Sequence, residues 1–235
     1  MKGRLYLVPN ILGECDPNDV IPSGVIEKIH ELQHFVVENT RNARRYLILL
    51  KHPVKPDELF FYELDKHKPE EGVETYINLC LTGNDVGIIS EAGMPGIADP
   101  GSLLVKAGYL KGLEVVPLTG PSSIFLALSA SGMNGQNFLF HGYLPLRTED
   151  RQKKIREIEA ASAKHRQTQI FIETPYRNNQ LFEELLKQCE ASTMLCVACN
   201  ISMENEYIRT AIISTWRKQK PDINKKPCVF LLMKS

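Results

Sequence analysis

"DVGIISEAGMPGIADPGSLLVKAG", Asp85 to Gly108, sets an apolar run against a helix-like run, with a loop of glycines and prolines between them. Val86 to Ile89 carries no polar alternation, as a strand buried on both faces does not. Ser90, Glu91, Ala92, Gly93, Met94, Pro95 and Gly96 follow. These are small or conformationally permissive residues whose backbone groups can approach a ligand closely, although glycine and proline also punctuate ordinary turns. "ADPG" then reads as a helix entry capped by Asp99, and "SLLVKAGYL" as the helix.

The same alternation recurs upstream. "RLYLVP" (Arg4 to Pro9) reads as a strand and "SGVIEKIHEL" as a helix capped by Ser23, with Val25, Ile26, Ile29 and Leu32 at helical spacing. "FVVEN" and "LFFYEL" read as strands, "TRNARRYLILL" as a helix, and "GVETYINLCLTG" as a helix closed by Gly83. With "LEVVPL" (Leu113 to Leu118) the order is β-α-β-α-β-α-β-α-β, which predicts a mostly parallel sheet with helices on both faces and ligands off the carboxyl ends of its strands. A second permissive segment, Gly120 to Ser123, follows that last strand and opens a helix.

Beyond it the pattern changes. The helix "SSIFLALSASG", the strand "FLFHGYL", a charged helix from Thr148 to His165, the strand "QTQIFIE" and a helix from Tyr176 to Cys189 precede three successive β-like runs, "TMLCVACNIS", "EYIRTAIIS" and "PCVFLLM". The predicted architecture is therefore two α/β domains, residues 1–118 with a mostly parallel sheet and residues 119–235 with a mixed one.

Lys plus Arg number 28 against 28 for Asp plus Glu, so no global charge draws the chain to nucleic acid or to an anionic membrane. No charged leader precedes an apolar run and no window approaches the ~20 apolar residues of a bilayer-spanning helix, which predicts a cytoplasmic protein away from membranes. The six cysteines are dispersed, and reduced thiols are expected. The basic run "RKQKPDINKK" (Arg217 to Lys226) reads as a solvated loop.

"HELQH" (His30 to His34) matches the spacing of zinc hydrolases, which need both histidines on one helix. Phe35, Val36 and Val37 begin a strand directly after His34, so the helix is expected to end too early, and no metal site is assigned. "CVAC" (Cys196 to Cys199) lies in a β-like run that points its two cysteines to opposite faces, which favours structural thiols. Walker loops, G-x-S-x-G elbows and G-x-G-x-x-G fingerprints do not occur.

"IISEAGMPGIADPG", "VVPLTGPSS", "LALSASG", "FLFHGYLP" and "IFIETPYR", in this order, resemble the tetrapyrrole methylase superfamily of S-adenosylmethionine (SAM) methyltransferases. "VENTRNARRYL" (Val37 to Leu47) most resembles the branch that methylates a ribose 2'-oxygen on small-subunit ribosomal RNA, whose pattern there is Glu-Asp-Thr-Arg. The resemblance implies two α/β domains with SAM in the cleft between them, in a homodimer. It implies SAM contacts from Pro9, Ser90, Glu91, Ala92, Gly93 and Ile97, and from Ser122, Ser123, Leu144, Thr174 and Asn200, Ile201 and Ser202. Glu38, Asn39, Thr40 and Arg41 would face the acceptor, on ribosomal RNA or the small ribosomal subunit, with Glu38 as candidate base. An ion pair between Glu38 and Arg41 tying the strand end to the next helix is the alternative for those two.

Departures from the branch pattern fall on several of these positions. Glu91 and Met94 stand where Ser-Asp-Ala-Gly-Thr-Pro has Asp and Thr, and Asn39 replaces the second acid. "NILGE" stands for Thr-Pro-Ile-Gly-Asn, "CNISM" for a segment with two basic residues, and the sequence ends without the branch's small C-terminal extension. Alternative readings are methylation of a tetrapyrrole or other small molecule, and SAM binding without catalysis.

Overall fold

Strands β1 (Leu5–Val8), β2 (His34–Val37), β3 (Phe60–Glu63), β4 (Val86–Ile89) and β5 (Val115–Pro117) pair in parallel in the order β3-β2-β4-β1-β5. Helices α1 (Ser23–His30), α2 (Thr40–Leu49), α3 (Val73–Leu81) and α4 (Gly101–Leu110) connect them. Successive strand residues feed opposite layers. Tyr6, Val8, Phe35 and Val37 pack with Ile29 of α1 and Ala43, Tyr46 and Leu47 of α2, while Leu5, Val36 and Ile88 pack with Ile77 of α3 and Leu104 of α4. Burial on both faces is why β4, at the centre of the sheet, is apolar throughout.

The strand order sets the position of the site. From β1 the chain crosses β4 to reach β2, and from β4 it crosses β1 to reach β5. Adjacent strands whose connections leave in opposite directions define the switch point of an open sheet, where ligands bind beyond the carboxyl ends. The segments after β1 and β4 stand there.

The computed structural model describes residues 1–64 and 70–234, and the chain divides into two compact units, Met1–Ser122 and Ser123–Ser235. The second unit holds β6 (Phe138–Tyr143), β7 (Thr168–Ile172), β8 (Met194–Cys199), β9 (Tyr207–Ile212) and β10 (Cys228–Met233) in the order β6-β7-β10-β8-β9. Only the β6–β7 pair is parallel; β10 runs antiparallel to β7 and β8, as β9 does to β8. Helices α5 (Ser123–Ser131), α6 (Thr148–His165), α7 (Asn178–Gln188) and the one-turn α8 (Ile213–Trp216) complete it. Its core centres on Phe171, Phe230, Phe182 and Trp216, whose Nε1 donates to the Leu195 carbonyl at 2.9 Å.

Several local expectations are corrected. Ser23 does not cap α1: it is the first helical residue, behind Pro22, whose carbonyl accepts from the Val25 and Ile26 amides. The helix at Tyr176 begins as a 3-10 turn, Pro175–Arg177, and becomes α-helical at Asn178. Two of the six cysteines are not free: Cys199 and Cys228 face each other on β8 and β10 and form a disulfide. Adjacent antiparallel strands bring together residues 29 apart in sequence, a proximity that spacing does not reveal. Cys196 is buried on the other face of β8, and burial pushes its thiol up. His30 ends α1 and His34 opens β2, so the two histidines do not share a helix. Among the described residues no helix is long and apolar enough to cross a membrane.

One buried ion pair ties α6 to α7. Arg151 Nε and Nη2 donate to Glu184 at 2.8 and 2.5 Å, and Arg151 Nη1 donates to the Leu146 carbonyl at 2.9 Å. The Arg151 hydrogen bond holds the Glu184 carboxyl below its ordinary range. Removing one partner strands a buried charge, so Glu184→Ala should lose about 3–5 kcal/mol of stability at neutral pH. Because the folded carboxyl is the stronger acid, the contribution is present above the unfolded value of ~4.3 and disappears as pH falls through the folded value. Urea unfolding followed by Trp216, the single tryptophan and a buried residue of this unit, should show wild type and variant converging in acid.

Candidate functional site

The tips of β1 and β4 are laced together. Asn10, one residue past Pro9, forms an antiparallel bridge with Gly93, each amide donating to the other's carbonyl at 2.9 and 3.1 Å. Its buried side chain donates to the Ser90 and Glu91 carbonyls at 2.9 and 3.2 Å. Gly93 adopts φ +69, and a Cβ there would come within 3.2 Å of Leu12 Cδ2 and 3.3 Å of the Pro121 carbonyl oxygen. At Gly120, after β5, a Cβ would fall 2.1 Å from Pro9 Cβ. Three segments thus meet backbone to backbone at the carboxyl edge, and glycine is what permits their approach.

Each expected residue of this edge has a defined place. The Pro9 carbonyl accepts from the Tyr46 hydroxyl at 2.6 Å, fixing α2 under the end of β1. Ser90 is buried, and its hydroxyl donates into its own loop, to the Ala92 carbonyl at 3.2 Å. Glu91 and Ala92 are exposed, and Ile97 is 44% exposed. Behind the loop, Asp99 accepts from the Gly96 and Gly101 amides at 2.8 and 2.6 Å, closing the turn and starting α4. Burial nevertheless raises the Asp99 carboxyl, against those amide bonds.

Glu38 to Arg41 follow β2 on the same edge. Asn39 accepts from the Asn42 amide at 3.0 Å and caps α2, so the uncharged side chain does what an aspartate there would do. Thr40 donates its amide to Glu63 at 2.7 Å, and that bond lowers the Glu63 pKa. Glu38 is half-buried, and its Oε1 accepts from the Glu91 amide at 3.3 Å. The Asn42 side chain donates to Glu91 Oε2 at 2.6 Å. Arg41 is exposed and forms no ion pair with Glu38. A cavity of about 600 Å³ opens beside Glu91, walled by Ile11, Leu12, Asn42 and Leu49.

In the second unit, β6, β7 and β8 point the same way, because β7 and β8 are both antiparallel to β10. Leu144, Thr174 and the turn Asn200–Ser202 follow those three strands and therefore share one edge of that sheet. Leu144 is buried in the unit's core, while Thr174 is half-buried and follows the buried Glu173, which pairs with the half-exposed Arg177 at 2.7 Å. Asn200 and Ser202 adopt left-handed backbone conformations, with φ 51 and 66, and are pinned by the Asn200–Asn205 side-chain bond at 2.9 Å and by the Ser202 amide donating to Glu206 at 2.8 Å. Ser122 ends the first unit and Ser123 begins α5. The basic run after α8 is held locally: Arg217 donates to the Leu186 carbonyl and Lys220 pairs with Glu183.

Asn10, Asn42, Tyr46 and Glu63 are the residues that sequence reasoning did not single out. Asn10 carried a signal, since a polar residue immediately after a buried strand is positioned to bind the neighbouring strand end; the other three act across more than twenty residues of chain. The assembled edge fits SAM chemically. The exposed Glu91 carboxylate suits a cationic group, the loop lets backbone groups approach a ligand, and Ile97 offers apolar surface.

Residues 13–215 match the family of Tetrapyrrole (Corrin/Porphyrin) Methylases. The chain is 29% identical over 231 residues to the "Ribosomal RNA small subunit methyltransferase I" of Vibrio cholerae, covering 97% of this chain and 76% of that protein. It is 35% identical over 214 residues to the protein of the same name from Streptococcus pyogenes, covering 90% and 69%. Among solved structures, the methyltransferase CobJ superimposes with a TM-score of 0.67 at 18% identity, covering 99% of this chain and 95% of that one. The uroporphyrin III C-methyltransferase of Thermus thermophilus does so with a TM-score of 0.61 at 17% identity, covering 99% and 98%. The chain belongs to the tetrapyrrole methylases and is a SAM-dependent methyltransferase built of two α/β domains.

Proposed function

We propose that this enzyme methylates a ribose 2'-hydroxyl of small-subunit ribosomal RNA. The acceptor reading draws support from the relatives named for that substrate, which correspond to nearly the whole chain. The observation that carries it is the hydrogen bond between the Glu91 amide and the Glu38 carboxylate, which sets a candidate base for an alcohol against the permissive loop after β4. The tetrapyrrole-type neighbours share the fold at 17–18% identity and draw no such support for their acceptors.

SAM, when bound, supplies an electrophilic methyl group for in-line displacement. The protein's part is to align and to move a proton. Asn10, Gly93 and Gly120 fix the loop backbone, so Ser90 to Gly93 present their remaining groups without rearrangement. Glu91 and Ala92 face the donor's polar end and Ile97 its apolar part, while Ser90 acts through the loop and Pro9 through its packing on Gly120. Ser122, the last residue of the first unit, is assigned to the same ligand. Glu38 takes the proton from the acceptor hydroxyl, and Thr40 and Arg41 hold the acceptor. Cytoplasmic residence and a homodimer accompany this assignment.

Calorimetry with SAM should give one site per chain. Gly120→Ala drives a methyl group into Pro9, so it should cost about 1–3 kcal/mol of stability and weaken SAM binding with it. Glu38→Gln keeps an acceptor for the Glu91 amide while removing the base, so kcat should drop ~100- to 10,000-fold with the SAM Kd unchanged. Mass spectrometry of small-subunit ribosomal RNA from a strain lacking the gene should show one missing ribose methylation. An unchanged pattern would eliminate ribosomal RNA as the acceptor.

A further inference from the structure

On the outer face of α2 a groove of about 490 Å³ is lined by Thr40, Arg41, Arg44, Arg45 and Glu63, among others. The helix carries three arginines and no acid, in a chain whose formal net charge is zero. The charges divide into two kinds. Arg44 is committed: it pairs with Asp57 at 3.2 Å and lies 5.4 Å from the centre of the Phe61 ring. Glu63 is likewise committed, held ionised by the Thr40 amide. Arg41 and Arg45 are both exposed, and neither has an ion pair or hydrogen bond among the described residues. They are four residues apart and so stand on one helix face, one above the other.

The groove begins where β2 ends, beside Glu38 and Thr40, on the carboxyl edge that carries the donor loop. Four residues of helix rise by ~6 Å, the order of the separation between successive phosphates of an extended RNA strand. Guanidinium groups suit that ligand, since their planar donors take phosphate oxygens two at a time. Resting on the ribosomal RNA reading, the geometry points to Arg41 and Arg45 as a phosphate grip that holds two successive phosphates of the single-stranded acceptor and so sets which ribose reaches Glu38. Such contacts position the strand and read no base.

The test uses the whole protein with a short single-stranded oligoribonucleotide for binding and isolated small ribosomal subunits for transfer. Arg45→Ala and Arg41→Ala should each raise the RNA Kd and the KM for subunits about 10-fold. Each should also flatten the slope of log K against log salt by ~0.7, the signature of one lost single-strand phosphate contact. SAM affinity in the same variants should match wild type, which also reports that they fold. Arg45→Lys should restore the salt slope, which tracks charge, and only part of the affinity, which needs the fork. Unaltered Kd, KM and slope in both alanine variants, with wild type still transferring methyl groups to the subunit, would overturn the grip and leave the acceptor reading intact. Wild type that binds SAM but transfers nothing to the subunit would instead remove the acceptor reading, and the grip with it.

Discussion

The Asn10 side chain is the constraint from which the rest of the first unit's edge follows. β1 and β4 are neighbours whose connections diverge, so their ends are free to splay unless something holds them. Asn10 does so twice, by its backbone bridge to Gly93 and by its amide, buried and bonded to two successive carbonyls of the loop. A buried amide with both protons committed is costly to disturb, because any shift leaves polar groups unpaired. The loop is therefore rich in permissive residues and yet fixed: glycine supplies the close approach and asparagine supplies the rigidity.

A second layer of connections relates that loop to the segment after β2 and to α2. Glu91 has its amide on Glu38, its carbonyl on Asn10 and its carboxylate on Asn42, so one residue touches the segments after β1 and β2 and the first turn of α2. Tyr46, on the buried face of α2, reaches the Pro9 carbonyl from beneath. The position of α2 thus depends on the same edge that shapes the loop after β4, and the residues at its N-terminus inherit that alignment. In a reaction governed by the collinearity of nucleophile, methyl carbon and leaving sulfur, a rigid relation between these segments matters more than any single contact.

Sequence periodicity revealed the architecture because burial was its cause. Runs such as Val86–Ile89 are apolar without alternation since both faces are covered, and the antiparallel finish showed in three strands with no helix of three or more turns between them. Residue-level contacts were less legible. Asn42 and Glu91 are 49 residues apart, and Arg151 and Glu184 are 33 apart, so nothing local announces either pair. The Cys199–Cys228 link failed to show for the same reason, since the two residues are 29 apart and meet only through the pairing of β8 with β10. Leu144 and Ser90, taken as ligand contacts from their place in a motif, turn their side chains into the core and into the loop, which only packing could reveal.

The departures from the ribosomal RNA pattern are then seen to be structurally compatible with one another. Replacing an acid by Asn39 removes a charge near the helix start, but the side-chain oxygen still accepts from the Asn42 amide, so α2 begins in the same way. Glu91, one methylene longer than aspartate, reaches across to the side chain of that same Asn42, so the acid missing at position 39 has a counterpart directed at the same helical turn from the loop. Carboxylates near a helix N-terminus are favourable through the peptide dipoles, and α2 has Glu63 on its Thr40 amide and Glu91, from the loop after β4, on its Asn42 side chain. Glu91 thereby couples the first turn of α2 to the loop after β4, so movement of one is felt by the other.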